Sequence, residues 1–140
     1  MNQRISQVAL VVEDYDKAIE FYVGKLGFEL VEDTKLSDVK RWVVVAPKGA
    51  GGTSLLLARA ANQEQLTRVG NQTGGRVFLF LFTDDFERDF QRLKEQDIKI
   101  VRGPAKELYG TVAVFADLYG NLWDLIEPSA ENRLITSGKG

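Results

Sequence analysis

Histidine and cysteine are both absent from this sequence of 140 residues, and each absence removes a class of chemistry. Without cysteine, the chain has no disulfide, no thiolate nucleophile and no cysteine metal site. Without histidine, it lacks the usual general base near neutral pH and the commonest transition-metal ligand. Any catalysis must therefore rely on carboxylates, lysine, tyrosine, hydroxyl side chains or a borrowed cofactor.

Signals for membranes and for nucleic acid are also scarce. No apolar run approaches the ~20 residues that span a bilayer, and the N-terminal segment Met-Asn-Gln-Arg-Ile-Ser lacks the apolar stretch of a signal peptide. Lysine and arginine do not gather in one segment, and the formal net charge is −2. We therefore expect a cytoplasmic protein with no membrane or nucleic-acid partner. Its 44% of hydrophobic residues suffice for one core.

An internal duplication organises the chain. An apolar strand leads to Asp14 and then to an amphipathic helix beginning with Tyr15, and the pattern returns 71 residues later at Asp85 and Phe86. Such a spacing indicates two copies of one supersecondary unit. Because both aspartates stand at a strand-to-helix junction, we predict that both are helix N-caps.

Each copy is predicted to fold in the order β-α-β-β-β. The first copy has a helix from the Asp14 cap to about Leu26, and Gly27 fits the left-handed position after it. Asp97 takes the place of that glycine in the second copy. The predicted strands of the first copy are 5–12, 28–32, 41–46 and 53–58. In the second copy the predicted elements are a strand at 77–83, a helix at 85–96, a strand at 98–102 that ends at Gly103-Pro104, and strands at 111–116 and 122–127.

We predict one α+β domain over residues 1–128, followed by a polar tail at 129–140. Its parts are module one (4–60), a connector (61–76) and module two (77–128). The connector is predicted to contain one helical turn near 64–69. Each module presents a small sheet with a helix on one face. Two modules that curve around a shared space line a cleft with alternate strand residues.

Three motifs give the sequence a family resemblance. They are Asp14-Tyr-Asp-Lys-Ala-Ile-Glu-Phe-Tyr22, Gly24-Lys-Leu-Gly-Phe28 and Asp117-Leu-Tyr-Gly-Asn-Leu-Trp-Asp-Leu125. Together with the repeat, they resemble the vicinal oxygen chelate superfamily, which includes glyoxalase I, the bleomycin-resistance proteins and the extradiol dioxygenases. The resemblance covers about residues 5–128. It implies a glyoxalase-like fold with a curved, cleft-lining mixed sheet, and a homodimer.

In metal-dependent members of that superfamily, the resemblance implies four ligand positions, which here are Gln7, Leu56, Phe78 and Asp124. Only Asp124 is a good metal ligand, and Gln7 offers at most a weak amide oxygen. A bound zinc, nickel or iron needs about three protein ligands. We therefore predict no metal and no cofactor. Glyoxalase I and dioxygenase chemistry, which depend on that metal, are not expected.

The resemblance also places these four positions in the cleft. Phe78, Phe80 and Phe82 alternate on one strand face, either as core or as a flat aromatic surface for a ligand. Asp124 lies in an apolar strand, so its pKa is expected to be raised. It is either a hydrogen-bonded structural group, or a general base or partner of a cationic ligand. Gln7 is its candidate polar neighbour.

Two further residues are candidates for the cleft. Tyr109 precedes an inner strand of module two, as a turn residue or as a wall of the cleft. Arg41 begins a strand, either at the surface or paired with an anionic ligand or with Asp124.

Three functions remain open from the sequence. The first is a metal-free protein of the bleomycin-resistance type that binds a small hydrophobic or aromatic molecule in the cleft. The second is a lyase, isomerase or dioxygenase-related enzyme that uses Asp124 as acid and base, or a metal site not identified from the sequence. The third is a degenerate member that acts only through protein contacts.

Overall fold

The chain folds with the predicted β-α-β-β-β order occurring twice. The structure is a computed structural model that describes residues 1–49 and 51–130. It divides into two compact units between Gln72 and Thr73, and the first unit contains module one and the second module two. The elements of the first unit are β1 (Gln7–Val12), α1 (Tyr15–Ile19), β2 (Glu29–Lys35), β3 (Arg41–Ala46), β4 (Ser54–Arg59) and α2 (Gln63–Leu66). Those of the second are β5 (Val77–Phe82), α3 (Phe86–Glu95), β6 (Ile100–Glu107), β7 (Gly110–Ala116) and β8 (Leu122–Pro128).

Each module forms its own four-stranded mixed sheet. The strand order is β1-β4-β3-β2 in module one and β5-β8-β7-β6 in module two. In both sheets the first and last strands of the module pair in parallel, and the remaining pairs are antiparallel. The predicted α+β class and the tandem module order are therefore confirmed.

A helix covers one face of each sheet, which we call the helix face; the opposite side is the second face. In module one the helix contributes Ala18, Phe21 and Tyr22 to the buried core. The sheet contributes buried residues of alternate position, namely Leu10, Val12, Val43, Val45, Leu55 and Leu57. Burial of apolar area stabilises a fold by roughly 25 cal/mol per Å². This layer is therefore the main source of stability in the module.

The predicted helix boundaries are confirmed at both caps. The Asp14 carboxylate accepts a hydrogen bond from the Lys17 backbone N–H at 2.8 Å, and Asp85 does the same for Arg88 at 3.1 Å. After the helices, Gly27 has φ 87° and Asp97 has φ 56°. Both lie in the left-handed region, which glycine and aspartate tolerate better than most residues.

The first helix is not the uninterrupted α-helix that the sequence predicts. After Ile19 it continues as a π-helical segment, Glu20–Lys25. The Leu26 N–H donates to the Phe21 carbonyl, which is the wider spacing of such a turn. The segment buries Phe21 and Tyr22 side by side, with ring centroids 5.0 Å apart. Apolar spacing alone does not reveal this widening.

Two strands extend three or more residues past their predicted ends. Strand β6 does not end at Gly103-Pro104 but runs through this cis peptide to Glu107, with irregular register against β7. Since β6 stands last in its sheet order, the missing N–H of proline is tolerated there. Strand β2 extends past its predicted end to Lys35, which pairs with Arg41.

The connector and the start of the predicted tail both contain defined contacts. Within the connector, the helical turn is Gln63–Leu66, capped by Asn62. Ser129 is not part of a free tail, because it hydrogen-bonds the carbonyls of Tyr109 and Leu108. The rest of the predicted tail from 131 lies outside the described residues. In the part of the chain that is described, no helix combines the length and the apolar character of a membrane span.

Candidate ligand-binding site

The second face of module two carries a row of side chains with an acid at its centre. The register of the sheet aligns Phe80 of β5, Asp124 of β8, Val114 of β7 and Arg102 of β6. Phe80 stands at one edge of the row and Arg102 at the other. Asp124 is therefore flanked by an aromatic ring and an aliphatic side chain, with the cation one strand further away.

The Asp124 carboxyl group is buried and incompletely bonded. Asp124 is only 8% exposed, and its Oδ1 has no hydrogen-bond partner among the described residues. Burial raises the pKa of Asp124 above its ordinary value, and the positive charge of Arg102 opposes that rise. This confirms the raised pKa expected from the apolar strand. An unpartnered buried acceptor is costly, so the carboxyl is poised to accept a hydrogen bond.

The three phenylalanines of β5 differ in environment. Phe80 and Phe82 are 65% and 42% exposed, whereas Phe78 is half-buried and falls within a β-bulge between Val77 and Leu79. Large exposed aromatic side chains side by side on one strand are unusual for a water-facing surface. They provide an apolar surface next to Asp124.

Module one presents a different chemistry at the corresponding positions. Leu56 of β4 aligns with Ala9 of β1 and Val44 of β3, and Glu32 of β2 completes the row. Gln7 lies two pairs earlier on the same face, where its Nε2 donates to Ser54 Oγ at 3.3 Å. Leu56 and Gln7 thus share the second face of module one. The shared cleft expected from the sequence stays a prediction.

Arg41 alternates with Trp42 and lies on the helix-face side of β3. Its guanidinium contacts both carboxylate oxygens of Asp33, at 3.1 and 2.7 Å, and also Asp16 Oδ1 at 2.9 Å. It lies 5.1 Å from the centre of the Tyr15 ring. The Arg41 guanidinium lowers the pKa of Asp33 by hydrogen bonding, and these carboxylates raise the pKa of Arg41. Arg41 is thus engaged within module one; its contact with a ligand stays a prediction.

Tyr109 stands in the two-residue turn between β6 and β7. The next residue, Gly110, pairs with Pro128 at the far end of β8. Asp124 is four residues from Pro128, or roughly 13 Å along a strand. The structure therefore does not bring Tyr109 next to Asp124.

The donor set does not fit the metal of the superfamily's metal-dependent members. Leu56 and Phe78 have no coordinating atom, and the Gln7 amide is engaged with Ser54. Asp124 is the one carboxylate of the four positions. Across residues 1–49 and 51–130, no group of three or more carboxylates is placed to hold a metal ion. These four positions therefore offer no coordination site of that type.

The Asp117 motif has a structural role. Asp117 is buried, and its Oδ1 accepts hydrogen bonds from the backbone N–H groups of Tyr119 and Asn121, both at 2.9 Å. Its Oδ2 accepts from Asn121 Nδ2, also at 2.9 Å. Gly120 supplies the φ of 101° that the turn requires. The motif closes the turn that leads into β8 and so positions Asp124.

Sequence reasoning missed two residues on the second faces. Arg102 was not singled out, although the predicted strand 98–102 includes it, because its alignment with Val114 and Asp124 depends on the register between strands. Trp42 was overlooked although it alternates with Arg41 and pairs with Thr34. The alternation of β3 would have identified Trp42, because even-numbered residues of that strand share the face of Leu56.

Two tandem βαβββ modules, with an acid and exposed aromatic rings on one second face, define an α+β protein of the glyoxalase-like fold. Over residues 4–125 the chain matches the family described as the Glyoxalase/Bleomycin resistance protein/Dioxygenase superfamily. The chain belongs to this superfamily.

Its relatives range from close to moderate similarity. An uncharacterized protein of Shewanella frigidimarina (strain NCIMB 400) is 62% identical over 128 residues, covering 91% of this chain and 95% of that protein. The crystal structure of UcmS2 matches with a TM-score of 0.78 at 29% identity, covering 91% of this chain and 99% of that one. TnmS3, an antibiotic binding protein from Streptomyces sp. CB03234, matches with a TM-score of 0.73 at 33% identity, covering 91% and 98%.

Proposed function

We propose that this protein binds a small hydrophobic or aromatic molecule on the second face of module two, with Asp124 as its main polar contact. The observation that carries the proposal is the buried Oδ1 of Asp124, which has no hydrogen-bond partner in the described part of the chain. It lies in the same row as Phe80, which is 65% exposed. Apolar surface around one well-placed polar group is the usual composition of a small-molecule site.

The chemistry of Asp124 sets the class of ligand. A carboxylate accepts hydrogen bonds, so the ligand carries an N–H or O–H donor or a positive charge on a flat apolar body. Because the carboxyl is buried, the donor reaches Oδ1 only after a side chain turns aside. Phe80 is the neighbour with room to move, and rotamer changes of this kind are common on binding.

A relative supports small-molecule binding. TnmS3 is an antibiotic binding protein, and it shares the fold with this chain at 33% identity. Transfer of that property to the present protein is part of the proposal. The ligand need not be the same, because residues on the second faces set specificity and the fold does not.

The test uses 9-aminoacridine and acridine, two flat aromatic compounds that differ in N–H donors and in charge. We expect wild-type protein to bind 9-aminoacridine about tenfold more tightly, a ratio worth about one charged hydrogen bond. Isothermal titration and the shift of the melting temperature measure both affinities. Asp124→Asn should abolish the preference, and Phe80→Ser should weaken both compounds.

Asp38→Asn is the matched control, because Asp38 is an exposed carboxylate in module one. It should leave the preference unchanged. Equal binding of both compounds by wild-type protein, or a preference that survives in Asp124→Asn, would rule out Asp124 as the polar contact. No binding of either compound, or of a wider panel of aromatic and drug-like molecules, would count against the function itself.

The raised pKa of Asp124 favours a second candidate, an enzyme that uses this carboxyl as general acid and base in a lyase or isomerase step. The two candidates differ in what Asp124→Asn removes. In an enzyme, the variant retains affinity for the substrate's apolar body and loses turnover. In a binding protein there is no turnover to lose, and affinity falls.

We also propose that the protein forms a homodimer. Phe82 is 42% exposed and lies on β5, which stands first in its sheet order, and edge strands with exposed apolar side chains are common association surfaces. Light scattering after size exclusion gives the mass directly. A monomer at all concentrations would exclude the proposal. A dimer that Phe82→Ser dissociates would locate the interface.

A further inference from the structure

The sheet of module one divides into two branches at one end. Strands β3 and β4 pair only from Val43 with Leu57 to Val45 with Leu55. Beyond that point β3 continues with β2 as far as Arg41, and β4 continues with β1 as far as Arg59. The two central strands therefore separate, and a fork opens between the start of β3 and the end of β4.

A tyrosine occupies the base of this fork. Tyr15, the first residue of α1, is buried, and its hydroxyl accepts a hydrogen bond at 3.1 Å from the backbone N–H of Arg41. At this residue β3 is not paired with β4. The hydroxyl satisfies a backbone donor that a continuous ladder would satisfy with a carbonyl, so the fork is a stable feature.

The fork contains a pocket of about 560 Å³. That volume is within the range of small-molecule sites. Trp42, Leu56 and Ala58 belong to its apolar lining, and the exposed residues Lys40 and Arg59 also line it. The half-buried indole of Trp42 offers a flat surface on which an aromatic ring can stack.

All charged residues that line the pocket are positive. None of its lining residues is acidic, and three are cationic. Arg41 is neutralised by Asp16 and Asp33. Neither Lys40 nor Arg59 forms an ion pair with any described residue. Two cations without such an ion pair thus line the same pocket as the Trp42 indole, in a protein whose net charge is −2.

We infer that the fork pocket is a binding site for a flat aromatic anion, such as an aryl carboxylate. Trp42 stacks on the ring, and Lys40 and Arg59 bind the carboxylate. This inference is independent of the proposed function, because it concerns another module and the opposite ligand charge. A binding protein with Asp124 as its contact prefers cations or donors, whereas the fork prefers anions.

The experiment compares 2-naphthoate with 2-naphthamide, which have nearly the same shape and differ in charge. We expect wild-type protein to bind 2-naphthoate at least about tenfold more tightly, as one charge-assisted contact provides. The preference should decrease in high salt, because exposed cations are screened. Lys40→Gln combined with Arg59→Gln should reduce the preference to about unity, and Trp42→Ala should weaken both compounds.

Lys99→Gln combined with Lys106→Gln is the matched control, since it removes two exposed cations from module two. It should leave the affinity for 2-naphthoate unchanged. Amide resonances locate the site: shifts at Trp42, Leu56 and Ala58 support the fork. Shifts confined to β5 and β8 would overturn the inference, as would equal binding of both compounds. Circular dichroism and melting curves establish that each variant is folded.

Discussion

Module one and module two share one topology, yet they differ at the places where a ligand can bind. In module two, β7 and β8 pair at seven positions, from Gly110 with Pro128 to Ala116 with Leu122. In module one, the equivalent strands β3 and β4 pair at three. The continuous ladder positions Asp124 within a closed row, whereas the interrupted ladder leaves a pocket.

The aligned rows of residues on the second faces of the two modules also differ in polarity and charge. Module one has Ala9 and Leu56 where module two has Phe80 and Asp124. At the far edge, Glu32 in module one corresponds to Arg102 in module two. Both copies retain the helix caps and the apolar core, so the same kinds of residue stabilise both modules. Residues on the second faces are not needed for that stability, and each second face can therefore acquire its own ligand chemistry.

The largest expected effect concerns the turn before the last strand of module two. Asp117→Ala removes three hydrogen bonds to a buried carboxylate and should lower the free energy of unfolding by about 3 kcal/mol. Urea denaturation measures the loss. Asp38→Ala, in a turn of module one, removes one exposed ion pair and should change nothing measurable. Equal losses in both variants would contradict the structural role of Asp117.

Tyr15→Phe tests what keeps the strands of module one apart. It gives α1 the residue type that begins α3, where Phe86 has no hydroxyl. The loss of the bond to the Arg41 N–H should cost about 1 kcal/mol. Hydrogen exchange at the Arg41 amide should accelerate, while the Val43 amide, within the paired region, serves as internal control. Unchanged exchange at Arg41 would show that the hydroxyl does not hold the fork.

The smallest expected effect is a pH dependence located in module two. The pKa of Asp124 is raised in the folded protein, so the folded state binds more protons than the unfolded state above pH 3.8. The free energy of unfolding therefore falls as pH rises from 3.8 to the raised pKa, and is level beyond it. Asp124→Asn should remove this fall, so the variant should gain about 1 kcal/mol relative to wild type as the pH rises through the raised pKa.

Denaturation series at several pH values measure this difference between Asp124→Asn and wild type. Asp38→Asn again provides the exposed control and should follow wild type throughout. A difference that is the same at pH 3 and at pH 7 would show that Asp124 does not titrate with a raised pKa.

Features with a local cause were predictable from the sequence. Asp14 and Asp85 cap their helices because side chain and backbone donor are three residues apart. Gly27 and Asp97 take the left-handed conformation at the end of each helix. The raised pKa of Asp124 follows from its apolar neighbours. At the caps and the helix ends, the interacting groups lie within a few positions of one another.

Features that depend on register between strands were not predictable. The passage of β6 through Gly103-Pro104 depends on its irregular pairing with β7. The fork depends on a contact between Tyr15 and Arg41, which are 26 residues apart. The commitment of Arg41 to Asp33 and Asp16 was missed for the same reason. The sequence pattern alone does not indicate with which of several nearby carboxylates an arginine forms an ion pair.

The parallel pairing of the first and last strands has a consequence during synthesis of the chain. Gln7 pairs with Ser54, so β1 has no strand partner until 47 further residues have been made. At about 5–20 residues per second, the wait is roughly 2–10 s. Throughout that time an apolar strand is open to chaperones and to other nascent chains. The order of strands within each module thus makes its earliest segment the last to be protected.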